Sequence, residues 1–272
     1  MLTLGKVLSD VKKGKISLAR AESMLKLDYL TIIDKIARYD SKRYLRRGVP
    51  EIIYAKSKTS KQLLKIVSRL ISTDPKKNDG LPIIISKVRD DQVKVIERFF
   101  EKKKSRNFHF KFFSNASMAA LIPALKYTPE NHKFGRVALL AAGTSDIAVL
   151  NEAEVLLNLL GCRTIRFNDV GVAALHRLLS PLQEIARFDP DAIVVAAGME
   201  GALPSVIAGL SSVPVIGLPT SVGNGYGKDG EGALMSMLQA CSLGICVVNV
   251  DGGVAAGVIA WLISRRATHR KN

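Results

Sequence analysis

The sequence has few of the features that mark exported or disulfide-bonded proteins. Its 272 residues include only three cysteines, Cys162, Cys241 and Cys246, without CxxC or Cys/His spacing. An odd number of such cysteines suits a reducing cytoplasm and provides no metal-binding framework. The amino-terminal segment alternates apolar and charged side chains and lacks the continuous apolar run of a secretory signal. We therefore expect a cytoplasmic protein.

No apolar stretch is long enough, without interruption, to predict a membrane span. The two longest, residues 193–223 and 243–263, contain Glu200, Asn249 and Asp251 as well as several Pro and Gly residues. We interpret both as buried strands joined by glycine-rich turns. With 47% hydrophobic and 24% charged residues, the chain is expected to be globular.

Basic residues are scarce in the second half of the chain. Residues 1–135 contain 30 Lys and Arg and 13 Asp and Glu residues, a net charge of +17, whereas residues 136–272 contain 10 and 11, a net charge of −1. This asymmetry predicts two domains, a basic one over residues 1–134 and a nearly neutral one over residues 135–272. The basic run at 101–106 is interpreted as a solvated helix end, with a nucleic-acid patch as the alternative.

Short β-branched runs alternate with helical segments throughout the second domain. Each run is apolar on both faces, as in strands that are covered by helices on both sides. Five strand–helix units predict a three-layer α/β fold with a doubly wound parallel sheet. The predicted strands are 136–142, 163–167, 191–198, 213–220 and 244–250. The predicted helices are 146–160, 172–187, a short one opened by Pro204, 230–240 and 255–266.

The first domain has a less regular pattern, which predicts a small α/β domain. We expect two short helices within residues 2–27. Helices are predicted at 60–71 and 90–102, and strands at 51–55, 82–86 and 108–113.

Ligands of an open parallel sheet bind beyond the carboxyl ends of the strands, where helix amino termini attract anions. The loop after the first strand of the second domain is a phosphate-binding candidate, or else a simple helix N-cap. Its candidate residues are Gly143, Thr144, Ser145 and Asp146. In the next loop Asp169, with His176 and Arg177 on the following helix, offers anion contacts; the alternative is a structural His and a solvated Arg.

Two further loops complete this set. The third has a carboxylate, Glu200, in an apolar turn, where we expect partial desolvation to suit it to proton transfer. The alternative is a carboxylate that stabilises the helix dipole. Its neighbours Gly198, Met199 and Gly201 are candidate substrate contacts, as are Thr220 and Ser221 in the fourth loop. That loop has the glycine content of a flexible cover over a ligand.

The residues of both domains resemble those of a known family. The segments AAGTSD, DVGVAALHRLL, AAGMEGALPSV, PVIGLPTSVG and MLQACSLGICVVNVDGG are similar to the second domain of the LarB family of nickel-pincer cofactor biosynthesis proteins. RYLRRGVPEIIYAKSKT at 43–59 resembles the first domain of that family. The resemblance implies a flavodoxin-like second domain, related to aminoimidazole ribonucleotide (AIR) carboxylase, preceded by a small basic α/β domain.

The resemblance also implies a reaction. A member of this family would carboxylate the pyridinium ring of nicotinic acid adenine dinucleotide at C5 and hydrolyse its phosphoanhydride, giving pyridinium-3,5-biscarboxylic acid mononucleotide and AMP. Carbon dioxide or bicarbonate would be the co-substrate, and a divalent ion such as Mg²⁺ would assist hydrolysis. The family's nucleophilic cysteine matches Cys241, and its acidic residue in the GMEG turn matches Glu200. A homo-oligomer, an octamer with shared active sites, is also implied.

The chemistry explains why these residue types are needed. C5 of a pyridinium ring becomes nucleophilic only after a group adds at C6, and a thiolate adds and leaves readily. Glu200 would then remove the C5 proton, while Arg177 and the 143–146 loop hold phosphate and His176 orients it. Cys241 is predicted to follow a helix, at the opposite edge of the sheet from Glu200, so we expect the two to meet between subunits. Cys162 and Cys246 are predicted to be buried packing residues.

Two alternative functions stay open. An AIR carboxylase or mutase would keep the fold and need no thiol, because its substrate carbon is already nucleophilic. A nucleic-acid-binding first domain would explain the positive charge. It is disfavoured because that domain shows no stacked-aromatic pattern or DNA-reading motif, and because the charge also suits solubility or attraction of an anionic dinucleotide.

Overall fold

The computed structural model describes residues 4–25, 30–33, 36–72, 80–103, 105, 107–124 and 135–271. The chain divides into two compact units, residues 1–127 and residues 128–272. The predicted domain boundary between residues 134 and 135 lies at the end of segment 125–134, which is outside the described residues.

The first unit is built on a four-stranded mixed sheet with a separate two-stranded hairpin. Its helices are α1 (Leu4–Lys12), α2 (Leu18–Leu25), α3 (Arg43–Arg47), α4 (Ser60–Ile71) and α5 (Asp90–Lys103). Its strands are β1 (Leu30–Ile33), β2 (Ala37–Asp40), β3 (Ile52–Tyr54), β4 (Ile83–Ser86), β5 (Phe108–Phe113) and β6 (Met118–Pro123). The four-stranded sheet has the order β3-β4-β6-β5, in which only β3 and β4 are parallel, and β1 pairs with β2.

Helix α4 shows how the sequence forms this unit. Thr59 and Gln62 cap its amino terminus reciprocally, through the Thr59 side chain and the Gln62 amide oxygen. Apolar side chains recur at helical spacing and pack with α5 on one face of the sheet, in a core that includes Leu63, Ile66 and Ile85. The predicted α/β character is therefore confirmed.

The sequence prediction missed part of this unit. The hairpin of β1 and β2, helix α3 and strand β6 were not expected. Strand β6 contains Ala119 and Ala120, which have low β-propensity, and it is defined by antiparallel pairing with β4 and β5 rather than by its own residues. Residues 101–103 of the basic run form the exposed end of α5, whereas residues 104 and 106 lie outside the described part.

The second unit is a three-layer sandwich around a parallel sheet of order β11-β10-β9-β7-β8. Its strands are β7 (Arg136–Ala141), β8 (Arg163–Phe167), β9 (Ala192–Ala197), β10 (Val215–Pro219) and β11 (Ile245–Val247). Its helices are α6 (Ile147–Leu160), α7 (Leu179–Phe188), α8 (Leu203–Leu210), α9 (Glu231–Leu238) and α10 (Gly253–Lys271). Helices α6 and α10 pack together, and α7, α8 and α9 share the apolar core on one face of the sheet. The predicted doubly wound sheet is confirmed.

Some helix limits differ from the prediction. The segment expected as one helix over 172–187 is a 3₁₀ segment, Val172–Leu178, followed by α7, because Ala174 has non-helical backbone angles. Gly161 ends α6 in a left-handed conformation, as its position predicted. Within the described residues, no helix is long and apolar enough to span a membrane.

Candidate active site

Parallel pairing of all five strands of the second unit places their carboxyl ends at one edge of the sheet. We call this the carboxyl edge, and the other the amino edge. The four predicted loops, at residues 142–146, 168–171, 197–204 and 219–227, all leave the sheet at the carboxyl edge. The fold therefore gathers most of the predicted site residues at one edge.

Asp146 links three of these loops. Its Oδ2 accepts a hydrogen bond from the backbone N–H of Gly143 at 2.8 Å, and its Oδ1 accepts one from Oγ1 of Thr220 at 2.5 Å. A backbone hydrogen bond from Gly198 also reaches this carboxylate. Burial raises the pKa of Asp146, and these hydrogen bonds oppose that increase. Since Asp146 and Thr220 are buried, their contacts fix the loops from inside.

The remaining residues of the first loop face outward. Thr144 and Ser145 are exposed at the start of the helical segment that leads into α6, where hydroxyl groups can meet an anion. The N–H of Gly143 is already bonded to Asp146, so the loop caps itself. Both the phosphate-binding role and the direct contact of Asp146 with substrate stay predictions.

The second loop contains an exposed ion pair. Nη1 of Arg177 lies 2.6 Å from Oδ2 of Asp169, and the two side chains are about half exposed, at 49% and 52%. Asp169 has a left-handed backbone, φ +57°. An exposed pair of this kind contributes only about 0–1 kcal/mol, so a phosphate can compete for Arg177. His176 is exposed on the same segment.

The third loop is a tight turn that carries Glu200. The N–H of Gly201 donates to the carbonyl oxygen of Gly198 at 2.8 Å, which turns Met199 and Glu200 outward into solvent. The expected partial desolvation of Glu200 is therefore wrong for the single chain. A Cβ atom on Gly201 would lie 2.7 Å from the carbonyl oxygen of Ala233, and φ of Gly201 is +62°, so glycine is required there.

Cys241 lies apart from these loops. It is exposed in the connection between α9, which ends at Leu238, and β11, which begins at Ile245. This connection enters β11 at the amino edge, as expected from the sequence. The hydroxyl group of the next residue, Ser242, lies 3.2 Å from that of Ser205 in α8, the helix that follows the Glu200 turn. The meeting of Cys241 and Glu200 between subunits stays a prediction.

The other cysteines differ from each other. Cys162 is buried as predicted, and burial, with the nearby Asp191 carboxylate, raises the pKa of its thiol to about 12. Cys246 is exposed, so its predicted burial is wrong. The reason is that β11 is an edge strand, bonded only to β10.

A fifth loop was missed by the sequence analysis. Asp251 follows β11 at the carboxyl edge, and its Oδ1 accepts a hydrogen bond from the N–H of Ser221 at 2.9 Å. The N–H of Asp251 in turn donates to the carbonyl oxygen of Pro219. The signal was present, because this loop follows the fifth predicted strand just as the other four follow theirs.

The described residues offer no ready-made metal site. Among them, no three His, Cys, Asp or Glu side chains come together as ligands of an ion. The expected Mg²⁺ stays a prediction. Proteins often hold Mg²⁺ through one or two carboxylates together with the phosphate oxygens of a substrate. We expect this arrangement here if the ion takes part in hydrolysis.

The flavodoxin-like sheet, with its ligand loops at the carboxyl edge, defines the class of the second unit. The family described as AIR carboxylase matches residues 136–271, the whole of this sheet and its helices. The family described as LarB/PurE-like N-terminal domain matches residues 31–119 of the first unit. The chain belongs to the LarB family, with a PurE-like second domain, and it has the carboxylase-type character of that family.

Two curated relatives come from Methanocaldococcus jannaschii. An uncharacterized protein is 38% identical over 266 residues, which cover 96% of this chain and 98% of the relative. An N5-carboxyaminoimidazole ribonucleotide mutase is 29% identical over 126 residues, which cover 46% of this chain and 75% of the mutase. The first similarity extends over both units, and the second over less than half of the chain.

Proposed function

We propose that this protein carboxylates nicotinic acid adenine dinucleotide at C5 of its pyridinium ring and hydrolyses the phosphoanhydride, as the first step of nickel-pincer cofactor synthesis. The products are pyridinium-3,5-biscarboxylic acid mononucleotide and AMP. The observation that carries the proposal is an exposed thiol, Cys241, in a chain that joins a LarB/PurE-like first domain to an AIR carboxylase domain.

The proposed carboxylation proceeds through a covalent adduct. The thiolate of Cys241 bonds to C6 and neutralises the pyridinium ring, which makes C5 nucleophilic. C5 then bonds to the carbon of CO₂, and the electron pair moves from the ring to the new carboxylate. Glu200 removes the C5 proton, the C6–S bond breaks, and the thiolate leaves as the ring regains its charge and aromaticity. Water then splits the phosphoanhydride to give the two monophosphates.

The proposal requires two subunits to form one site. The connection that carries Cys241 enters the sheet at the edge opposite the Glu200 loop, so we propose that another copy supplies one of the two residues. Large apolar side chains near Cys241 are exposed in the single chain, including Leu238 and Leu243, which is 91% exposed. Such side chains suit a contact between copies. We therefore propose a homo-oligomer, an octamer by resemblance, with Thr144, Ser145 and Arg177 holding phosphate.

The test is incubation of the protein with the dinucleotide, ¹³C-labelled bicarbonate and Mg²⁺, followed by mass spectrometry. We expect a mononucleotide that has gained one labelled carboxyl group, together with AMP. Cys241→Ser should abolish the product, whereas Cys246→Ser, a matched change of another exposed cysteine, should leave it unchanged. Unaltered dinucleotide, or full activity of Cys241→Ser, would refute the proposal.

A second candidate is an AIR carboxylase or mutase, which the similarity to the mutase of M. jannaschii favours. This reaction uses the same domain but no thiol. Incubation with N5-carboxyaminoimidazole ribonucleotide separates the two candidates, because turnover that survives Cys241→Ser indicates the mutase and turnover of the dinucleotide indicates the first proposal.

A further inference from the structure

Three large apolar side chains are exposed in the loops on either side of Glu200. Met199 is 55% exposed, Val222 is 41% exposed, and Tyr226 is completely exposed. Met199 belongs to the turn after β9, and the other two belong to the loop after β10. We call these three residues the apolar platform. Exposed apolar groups at the ligand edge of a parallel sheet indicate a binding surface.

The two loops that carry the platform are in close contact. A Cβ atom on Gly223 would lie 3.5 Å from the backbone nitrogen of Met199, and one on Gly227 would lie 3.8 Å from its carbonyl oxygen. Val222 also approaches the start of the Glu200 turn, since its Cγ2 would lie 2.9 Å from a Cβ atom on Gly198. Tyr226 immediately precedes Gly227, whose backbone lies close to Met199 in the turn that carries Glu200.

The segment around Tyr226 leaves this side chain free to meet a ligand. Gly225 has φ +70°, and a Cβ atom there would have no neighbour within 4 Å. The tyrosine therefore stands between a glycine in open space and a glycine that is packed against the Glu200 turn.

The charges around the platform favour a planar cation. The face of an aromatic ring is negative, so it attracts cations as well as stacking on other rings. Lys228 and Asp229 in the same loop have opposite charges, and the segments around the platform also contain the carboxylates of Glu200 and Glu231. A pyridinium ring is both planar and cationic, whereas adenine is planar and neutral.

We propose that Tyr226 is the surface on which the cationic ring of the dinucleotide stacks beside Glu200, which makes Tyr226 a specificity-determining residue. This inference rests on the proposed function. In this inference the oxidised pyridinium ring binds at Tyr226. Neither adenine nor a reduced dihydropyridine ring is expected to bind there. A reduced ring has lost the positive charge, although its shape is nearly the same.

The experiment compares binding of the oxidised and the reduced forms of nicotinic acid adenine dinucleotide to the full-length protein by calorimetry. Tyr226→Ala should weaken binding of the oxidised form about tenfold and leave the reduced form unchanged. Tyr226→Phe should retain wild-type binding, because the ring is preserved. Tyr54→Ala, which removes another exposed tyrosine from the first unit, serves as the matched control and should bind normally.

The outcomes separate this inference from the proposed function. If the wild type converts the dinucleotide but Tyr226→Ala binds both forms normally, or loses both equally, the inference is wrong and the function stands. If the wild type neither binds nor converts the dinucleotide, both are wrong. Loss of AMP binding in Tyr226→Ala would place adenine on the platform and would also overturn the inference.

Discussion

Two inactive variants should restore activity to each other if Cys241 and Glu200 act in one site from different subunits. The variants are Cys241→Ser, which lacks the nucleophile, and Glu200→Gln, which lacks the base. Each is expected to be inactive when expressed alone. If sites are shared, a mixed oligomer brings an intact Glu200 of one chain to an intact Cys241 of another.

The expected recovery follows from counting the sites. In an equal mixture with random assembly, half of the sites receive an intact cysteine and half receive an intact glutamate, so about one quarter of the sites are complete. The double variant, mixed equally with wild type, provides the control. Shared sites again leave about one quarter of the sites complete, whereas sites within one chain would leave about half.

The assay is co-expression of the two chains with different affinity tags, purification through both tags, and measurement of labelled carboxyl transfer. Activity of about one quarter of the wild-type value supports shared sites. The reasoning is refuted if the doubly tagged oligomer of the two single variants has no activity while the control mixture retains about half.

Three further predictions concern the loops that position the site. Thr220→Val should destabilise the protein by about 1–3 kcal/mol in urea unfolding, because the buried carboxylate of Asp146 loses a donor, and Thr220→Ser should restore the wild-type value. Burial raises the pKa of Asp146 above its usual value of 3.8, so the folded protein binds the proton of this carboxyl group more tightly than the unfolded chain does. The free energy of unfolding should therefore fall as the pH rises through the raised pKa. Asp146→Asn should lack this fall. Gly201→Ala should lower the melting temperature and reduce soluble yield because of the contact with Ala233, whereas Gly225→Ala, at a similar φ in open space, should cost only about 1–2 kcal/mol in urea unfolding.

The parallel sheet was predictable from the sequence because its strands are recognisable one at a time. Each run is short, β-branched and apolar on both faces, and glycine or proline marks the helix ends, as at Gly161 and Pro204. Strand β6 was not predictable in this way, because its alanines become a strand only by pairing with β4 and β5. Cys246 was misjudged for a related reason, since its exposure depends on the position of β11 in the strand order.

The candidate site was predictable as a set of loops, but the direction of each side chain was not. Asp146 and Glu200 are both acidic residues in turns after apolar strands, yet Asp146 is buried and Glu200 is exposed. Asp146 turns inward because Thr220, 74 residues further along the chain, donates to it. Glu200 turns outward because the bond between Gly201 and Gly198 closes the turn. A contact between residues 74 positions apart cannot be inferred from local spacing.

The glycines packed around Met199 have a consequence for any attempt to transplant or redesign this site. Gly201 and Gly232 leave little room for a methyl group between the turn after β9 and the chain that follows β10, and Gly223 and Gly227 are packed as closely within that chain. Neither segment can be replaced by the corresponding piece of another enzyme without the other. Substrate preference is therefore best altered by exchanging the two segments as one cassette, or by changing only the residues that point away from this seam.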